Sequence, residues 1–192
     1  MKYDHVMIDL ETLGTKPGSV ILSIGAVAFN AEQPETEWTT YNSGPILRRS
    51  CYDAGLVEDV NTVAWWRKQI DAEHLAGGVD LYNFFDDTTN SLRSMHIAVA
   101  LTELRHWFPN GASVWSNGAN FDGVLLRCAY EAVNVSIPWA YYNEQCFRTM
   151  KRQFVSVAAP EFVGTRHDAL TDALHQTRYL QVIFARIKEA GL

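Results

Sequence analysis

Two apolar runs dominate the start of the chain. Residues 2–10 and 20–29 are rich in Val, Ile and Leu and are separated by GTKPGS. Runs of this length bounded by Gly and Pro read as two strands joined by a turn. A third strand is expected through Glu37 to Tyr41. Between Pro45 and Asn90 the pattern is weakest, although Val63, Trp66 and Ile70 recur at helical spacing behind Asn61, which is placed to cap a short helix. Ile97, Leu101, Leu104 and Phe108 follow at intervals of four, three and four. That periodicity predicts an amphipathic helix over Met95 to Phe108, stopped at Pro109.

SVWSN then reads as a buried strand. Phe121, Val124, Leu125, Cys128, Ala129 and Ala132 mark another helix, and Ala169 to Glu189 a long terminal one closed by Gly191. Early strands followed by a strand alternating with helices predict an α/β architecture, a central sheet flanked by helices. With 192 residues, 47% of them hydrophobic, the chain is expected to form a single domain over 1–192 with a substantial core.

Composition narrows the function classes. Charges interrupt the apolar stretches well before the ~20 residues of a bilayer span. The opening MKYDHVMIDLE lacks the basic start and cleavage site of a signal peptide, so a cytoplasmic protein with no membrane partner is expected. Cys51, Cys128 and Cys146 form no CxxC pair, and neither a disulfide framework nor a thiolate zinc site is indicated. The formal charge is −6, which argues against an all-over basic surface for nucleic acid. The charge is unevenly spread. Asp53 to Asp87 holds eight acids against two bases, whereas Ala140 onward holds seven bases against five acids. Any phosphate-facing surface is therefore expected in the C-terminal part, where Arg148, Lys151 and Arg152 are candidates and an exposed helix face is the plain alternative.

The candidate chemistry lies at element ends. Asp9 and Glu11 close the first strand, whose two-residue period points both carboxylates to one face. Side by side they repel and need water or a cation. Asp122 opens a helix just after the SVWSN strand. His167 and Asp172 are five apart, which within one helix would turn them about 140° from each other. They share a site only if His167 sits in the preceding loop and Asp172 one turn into the helix. Singly, each acid has an ordinary explanation in a solvated turn or a helix dipole. Together, four acids and a histidine at strand ends and helix starts gather along one sheet edge, where α/β folds assemble functional groups. Carboxylates suit Mg²⁺ or Mn²⁺, and a histidine can take a proton from attacking water.

DLETLG followed by ILSIGAVAF, NFD at 120–122 and HDALTD at 167–172 resemble the DEDDh 3'-5' exonucleases, related to ribonuclease T, within the ribonuclease-H-like fold. Short stand-alone bacterial and phage members are the most similar kind. The resemblance implies a mixed central sheet, two divalent cations held by Asp9, Glu11, Asp122 and Asp172, and His167 as general base. It implies a hydrolase that removes 5'-mononucleotides from single-stranded DNA or RNA 3' ends, with a homodimer as one assembly open to it. Thr12, Leu13, Trp66 and Asn117 complete the substrate contacts it implies. Thr15 stands where a bulky wedge residue is common, leaving Leu13 or Trp66 for that role, and Ser23 replaces an acid common in the second strand. A short-oligonucleotide or dinucleotide phosphodiesterase on the same fold is the nearer alternative, and a non-catalytic nucleic-acid-binding module the farther one.

Overall fold

The computed structural model describes residues 3–75, 94–118 and 120–191. The acids Asp80, Asp86 and Asp87 of the predicted acidic segment lie outside them. The elements in chain order are β1 (His5–Thr12), β2 (Ile21–Phe29), β3 (Thr39–Asn42), α1 (Arg48–Asp53), α2 (Val60–Leu75), α3 (Ile97–Trp107), β4 (Ser113–Ser116), α4 (Asp122–Ala132), β5 (Glu144–Cys146), α5 (Phe147–Gln153) and α6 (Ala169–Glu189). The strands form one sheet in the order β3-β2-β1-β4-β5. β1 pairs antiparallel with β2 and parallel with β4, so the sheet is mixed, as expected. Among the described residues no helix is long and apolar enough to cross a membrane.

Alternation along β1 divides the core. Val6, Ile8 and Leu10 face one apolar cluster, built with Ile97, Leu101 and Leu104 of α3 and Leu125 and Ala129 of α4. Met7 faces the other, built with Phe147 and with Ala173, Leu180 and Ile183 of α6. β2 is buried along its whole length, as a strand covered on both faces by helices must be, and hence reads as an unbroken hydrophobic run. Asp9 and Glu11 continue the Met7 face and so point toward α6.

Several expectations are refined. Asp59, not Asn61, caps α2: its Oδ1 accepts the backbone N–H groups of Asn61 and Thr62, both at 3.0 Å. With that cap one residue before Val60, the helix runs 16 residues rather than being short. In α3 the ring of His96 takes the capping position, accepting from the Ala98 N–H. α1 and the three-residue β5 were not expected. Both are shorter than the window in which periodicity is legible.

Candidate active site

β2 sets the geometry of the site through Gly25, the register partner of Asp9. A Cβ on Gly25 would stand 2.2 Å from the carbonyl carbon of Ala169 and 2.2 Å from the Leu170 nitrogen. Only glycine lets the first turn of α6 lie directly on the sheet at this point. The helix start is fixed by Asp168, whose side chain accepts the Thr171 N–H at 2.8 Å. One turn in, Asp172 accepts the backbone N–H of His167 at 3.0 Å on Oδ2. That bond folds the preceding loop back over the helix, and His167 adopts the left-handed region (φ 62°). A non-glycine residue there is uncommon and marks a constrained turn. The loop-then-helix arrangement predicted for the five-residue spacing is the one observed.

The result is a knot of carboxylates. Glu11, His167 and Asp172 each offer a ligand atom within 4.8 Å of the others. Asp9 lies beside them, its Oδ1 accepting from Gln176 Nε2 at 2.7 Å. Asp122, 3% exposed, opens α4, and the donors that favour its charge are its own N–H, the Leu10 N–H and the Ser116 hydroxyl, the last bonded to the Gly118 carbonyl at 3.2 Å.

Burial pushes Asp122 up to about 7 despite those donors and Arg148. Burial, then the charges of Asp172, Asp168 and Asp122, pushes Glu11 up to about 8. Asp9 is driven well above the usual carboxylate range, by burial first and then by Asp122 and Glu11. Burial also raises Asp172, with the His167 N–H opposing. Carboxylates that crowd Asp9 and Glu11 in this way need protons or a cation to share the space. Their donor set is hard oxygen with one imidazole beside it, which fits a hard divalent cation.

Beside the acids runs a cleft of about 620 Å³ lined by Glu11, Thr12, Thr15, Trp65 and Phe121 among others. The expectations for substrate contacts change here. Trp66 is 3% exposed and donates its indole N–H to the Thr12 carbonyl at 2.8 Å, which fixes the strand end and leaves only a small part of the ring lining the cleft. Leu13 is fully buried, and the Thr12 hydroxyl is bonded to the Gly14 carbonyl. Leu13 thus packs inside, whereas Thr12 lines the cleft with its hydroxyl turned to the Gly14 carbonyl. Trp65 is the open ring: it is 41% exposed and stands edge-on to His167, centroids 5.0 Å apart. Adjacent tryptophans on one helix point about 100° apart, but which of them meets the core depends on where α2 docks. Asn117 is partly buried, its Oδ1 without a hydrogen-bond partner among the described residues. Ser23 pairs in register with Glu11 and is 3% exposed. Gln176 was not singled out from the sequence. Its position four after Asp172, on the same helix face, was the available signal.

Comparison with known proteins accords with this geometry. A family model described as the 3'-5' exoribonuclease Rv2179c-like domain matches residues 4–184. No curated protein matches the chain. Among solved structures, the nuclease domain of 3'hExo, a DEDDh family member bound to rAMP, is similar with a TM-score of 0.52 at 14% identity, over 98% of this chain and 94% of that one. Cell-death related nuclease 4 (CRN-4) is similar with a TM-score of 0.48 at 12% identity, over 99% of this chain and 65% of that one. The likeness to 3'hExo shows the ribonuclease-H-like fold, and the match to the family model spans nearly the whole chain. The chain belongs to the Rv2179c-like 3'-5' exoribonuclease domain family, and is thereby a 3'-5' exonuclease.

Proposed function

We propose that this exonuclease removes single nucleotides from the 3' end of single-stranded RNA or DNA, with RNA the first substrate to test because the matching family is described as exoribonuclease. The observation that carries the reading is the convergence of Asp9, Glu11, Asp122 and Asp172 beside a cleft with one open aromatic ring. Asp9, Glu11, Asp122 and Asp172 would hold two divalent cations, Mg²⁺ or Mn²⁺. When bound, such a pair supplies the positive charge that steadies the attacking and departing oxygens of an in-line displacement.

The chain's own residues do the rest. His167, held over the acids by its backbone bond to Asp172, accepts a proton from the attacking water on a ring nitrogen. The water oxygen bonds to phosphorus, and the bond from phosphorus to the 3' oxygen of the penultimate nucleotide breaks. The terminal nucleotide leaves with a 5'-phosphate. Trp65 offers a face on which that terminal base stacks, a contact indifferent to base identity. The cleft between Thr12, Thr15 and Phe121 receives the sugar.

The test is a time course on 5'-labelled RNA and DNA of one sequence, linear and circular. The expected result is a regular descending ladder with 5'-mononucleotide products from the linear strands. Cleavage of the circular strand at a comparable rate would contradict the reading.

A further inference from the structure

A set of cations that the reaction does not use lies next to the acids. Arg148, Lys151 and Arg152 stand at i, i+3 and i+4 on α5, which places them on one face. The Arg148 guanidinium overlies the loop before α4, since a Cβ on Gly118 would be 3.4 Å from Nη2. The Lys151 ammonium sits 4.6 Å from the centroid of the Phe147 ring. Arg166 lies over Phe162 at 4.5 Å, and Phe162 meets the His175 ring at 4.9 Å. His175 Nδ1 is buried without a hydrogen-bond partner among the described residues.

None of these four cations forms an ion pair with another described residue. Lys16, Arg67, Lys68 and Arg105 share that property, whereas Arg48, Arg49, Arg127, Arg178, Arg186 and Lys188 are paired, so what sets the four apart is that they stand together beside the acids. The arc also repels itself. Lys151 is lowered by burial and then by Arg148, and His175 by burial and then, against the opposing charge of Asp172, by Arg166, Arg178 and Lys151. In a chain of net charge −6, this is a local positive surface whose inner members, Arg148 and Arg166, are offset by the acids and whose outer members, Lys151 and Arg152, are open to an external anion.

Resting on the function proposed above, we infer that the arc of Arg148, Lys151, Arg152 and Arg166 is the binding surface for the phosphates of the strand upstream of the scissile bond. The terminal nucleoside occupies the cleft on the Trp65 side of the acids, so the strand has to leave on the other side. Arg148 and Arg166 border the acids, their charges acting on Asp122 and Asp172 respectively. The partner is thus a single strand several nucleotides long, not a dinucleotide. Affinity on this surface comes from phosphate charge and carries no base preference.

The experiment measures anisotropy of a twelve-nucleotide, fluorescein-labelled RNA in EDTA across roughly 50–200 mM salt. It compares the parent with a Lys151→Gln, Arg152→Gln, Arg166→Gln variant and with a charge-matched control, Arg49→Gln, Arg186→Gln, Lys188→Gln. Three lost phosphate contacts should flatten the slope of log K against log salt by about 2, at ~0.7 for each contact on a single strand. Affinity at the lowest salt should fall at least about tenfold. The control should keep the parent's slope. Parallel slopes for parent and arc variant, equal flattening in the control, or a parent that does not bind the strand at the lowest salt each overturn the inference. As a second measurement, Lys151→Glu alone should raise KM for the twelve-nucleotide strand more than for a dinucleotide, with kcat on the strand retained. Equal effects on both lengths would also overturn it. Binding in EDTA needs no hydrolysis, so a chain that binds in this way but releases no nucleotides refutes the exonuclease reading while the surface stands.

Discussion

Replacing Asp122 by Asn should make the metal-free protein more stable at alkaline pH, and the size of the gain follows from where the carboxyl sits. Asp122 is 3% exposed and is pushed up to about 7 by burial, whereas in the unfolded chain an aspartate titrates near ~3.9. A carboxyl raised in this way binds its proton more tightly folded than unfolded. Its burden on the fold is therefore absent below pH ~4, grows as pH rises, and is complete above pH ~7. Three pH units at ~1.4 kcal/mol each give about 4 kcal/mol.

The asparagine side chain keeps the shape of the aspartate and stays uncharged at every pH. The donors that oppose burial are already contained in the value of about 7, and a neutral amide stands in for the neutral carboxyl, so the full difference is recovered. The gain is about 4 kcal/mol, or roughly 8–16 °C in melting temperature for a chain of this size. Thermal unfolding in EDTA at pH 4.5 and pH 8.5 measures it. The variant should match or fall slightly below the parent at pH 4.5 and exceed it at pH 8.5. Millimolar Mn²⁺ should then reverse the order by stabilising only the parent. A variant that melts below the parent at pH 8.5 without metal, or a difference that is the same at both pH values, refutes the reasoning.

Gln176→Leu removes the 2.7 Å bond that orients Asp9, and Mn²⁺ affinity by calorimetry should weaken about 10–100-fold, the usual effect of losing an outer-sphere partner. Unchanged affinity would make the bond incidental. Trp65→Ala should raise KM with melting shifted by no more than ~0.5 kcal/mol, whereas Trp66→Ala should cost roughly 3–5 kcal/mol in unfolding titrations. The reverse pattern would restore Trp66 as the residue facing the base. His167→Ala should lower kcat about 10²–10⁴-fold with Mn²⁺ binding retained. A normal turnover number would place the general base elsewhere.

The framework of the site was legible in the sequence because it depends on local periodicity. β1 and β2 are continuous apolar runs, and α6 is a long amphipathic helix whose bounds, Ala169–Glu189, coincide with those expected. The order and context of the three motifs brought Asp9, Glu11, Asp122, His167 and Asp172 to one edge. What stayed hidden depends on docking. Val63, Trp66 and Ile70 recur at helical spacing, yet Trp66 was expected against the substrate, and only the docking of α2 shows that it turns inward and Trp65 outward. Nothing local said that Trp65 would turn to His167 rather than to open solvent. Gln176 is one glutamine among the polar residues of α6 until Gly25 lets that helix sit on Asp9. Asp59 and Asn61 are equally able caps by residue type, and only the backbone path after Leu56 selects Asp59.

The central claim is metal-dependent removal of nucleotides from a 3' end at the acid cluster. It is tested most directly by following 5'-labelled single-stranded RNA with the parent and with Asp9→Asn, each in Mg²⁺, in Mn²⁺ and in EDTA, alongside a circular dichroism check that the variant is folded. The prediction is a descending ladder from the parent in either metal, none in EDTA, and none from the folded variant under any condition. A parent equally active in EDTA, or an Asp9→Asn chain as fast as the parent, would contradict it.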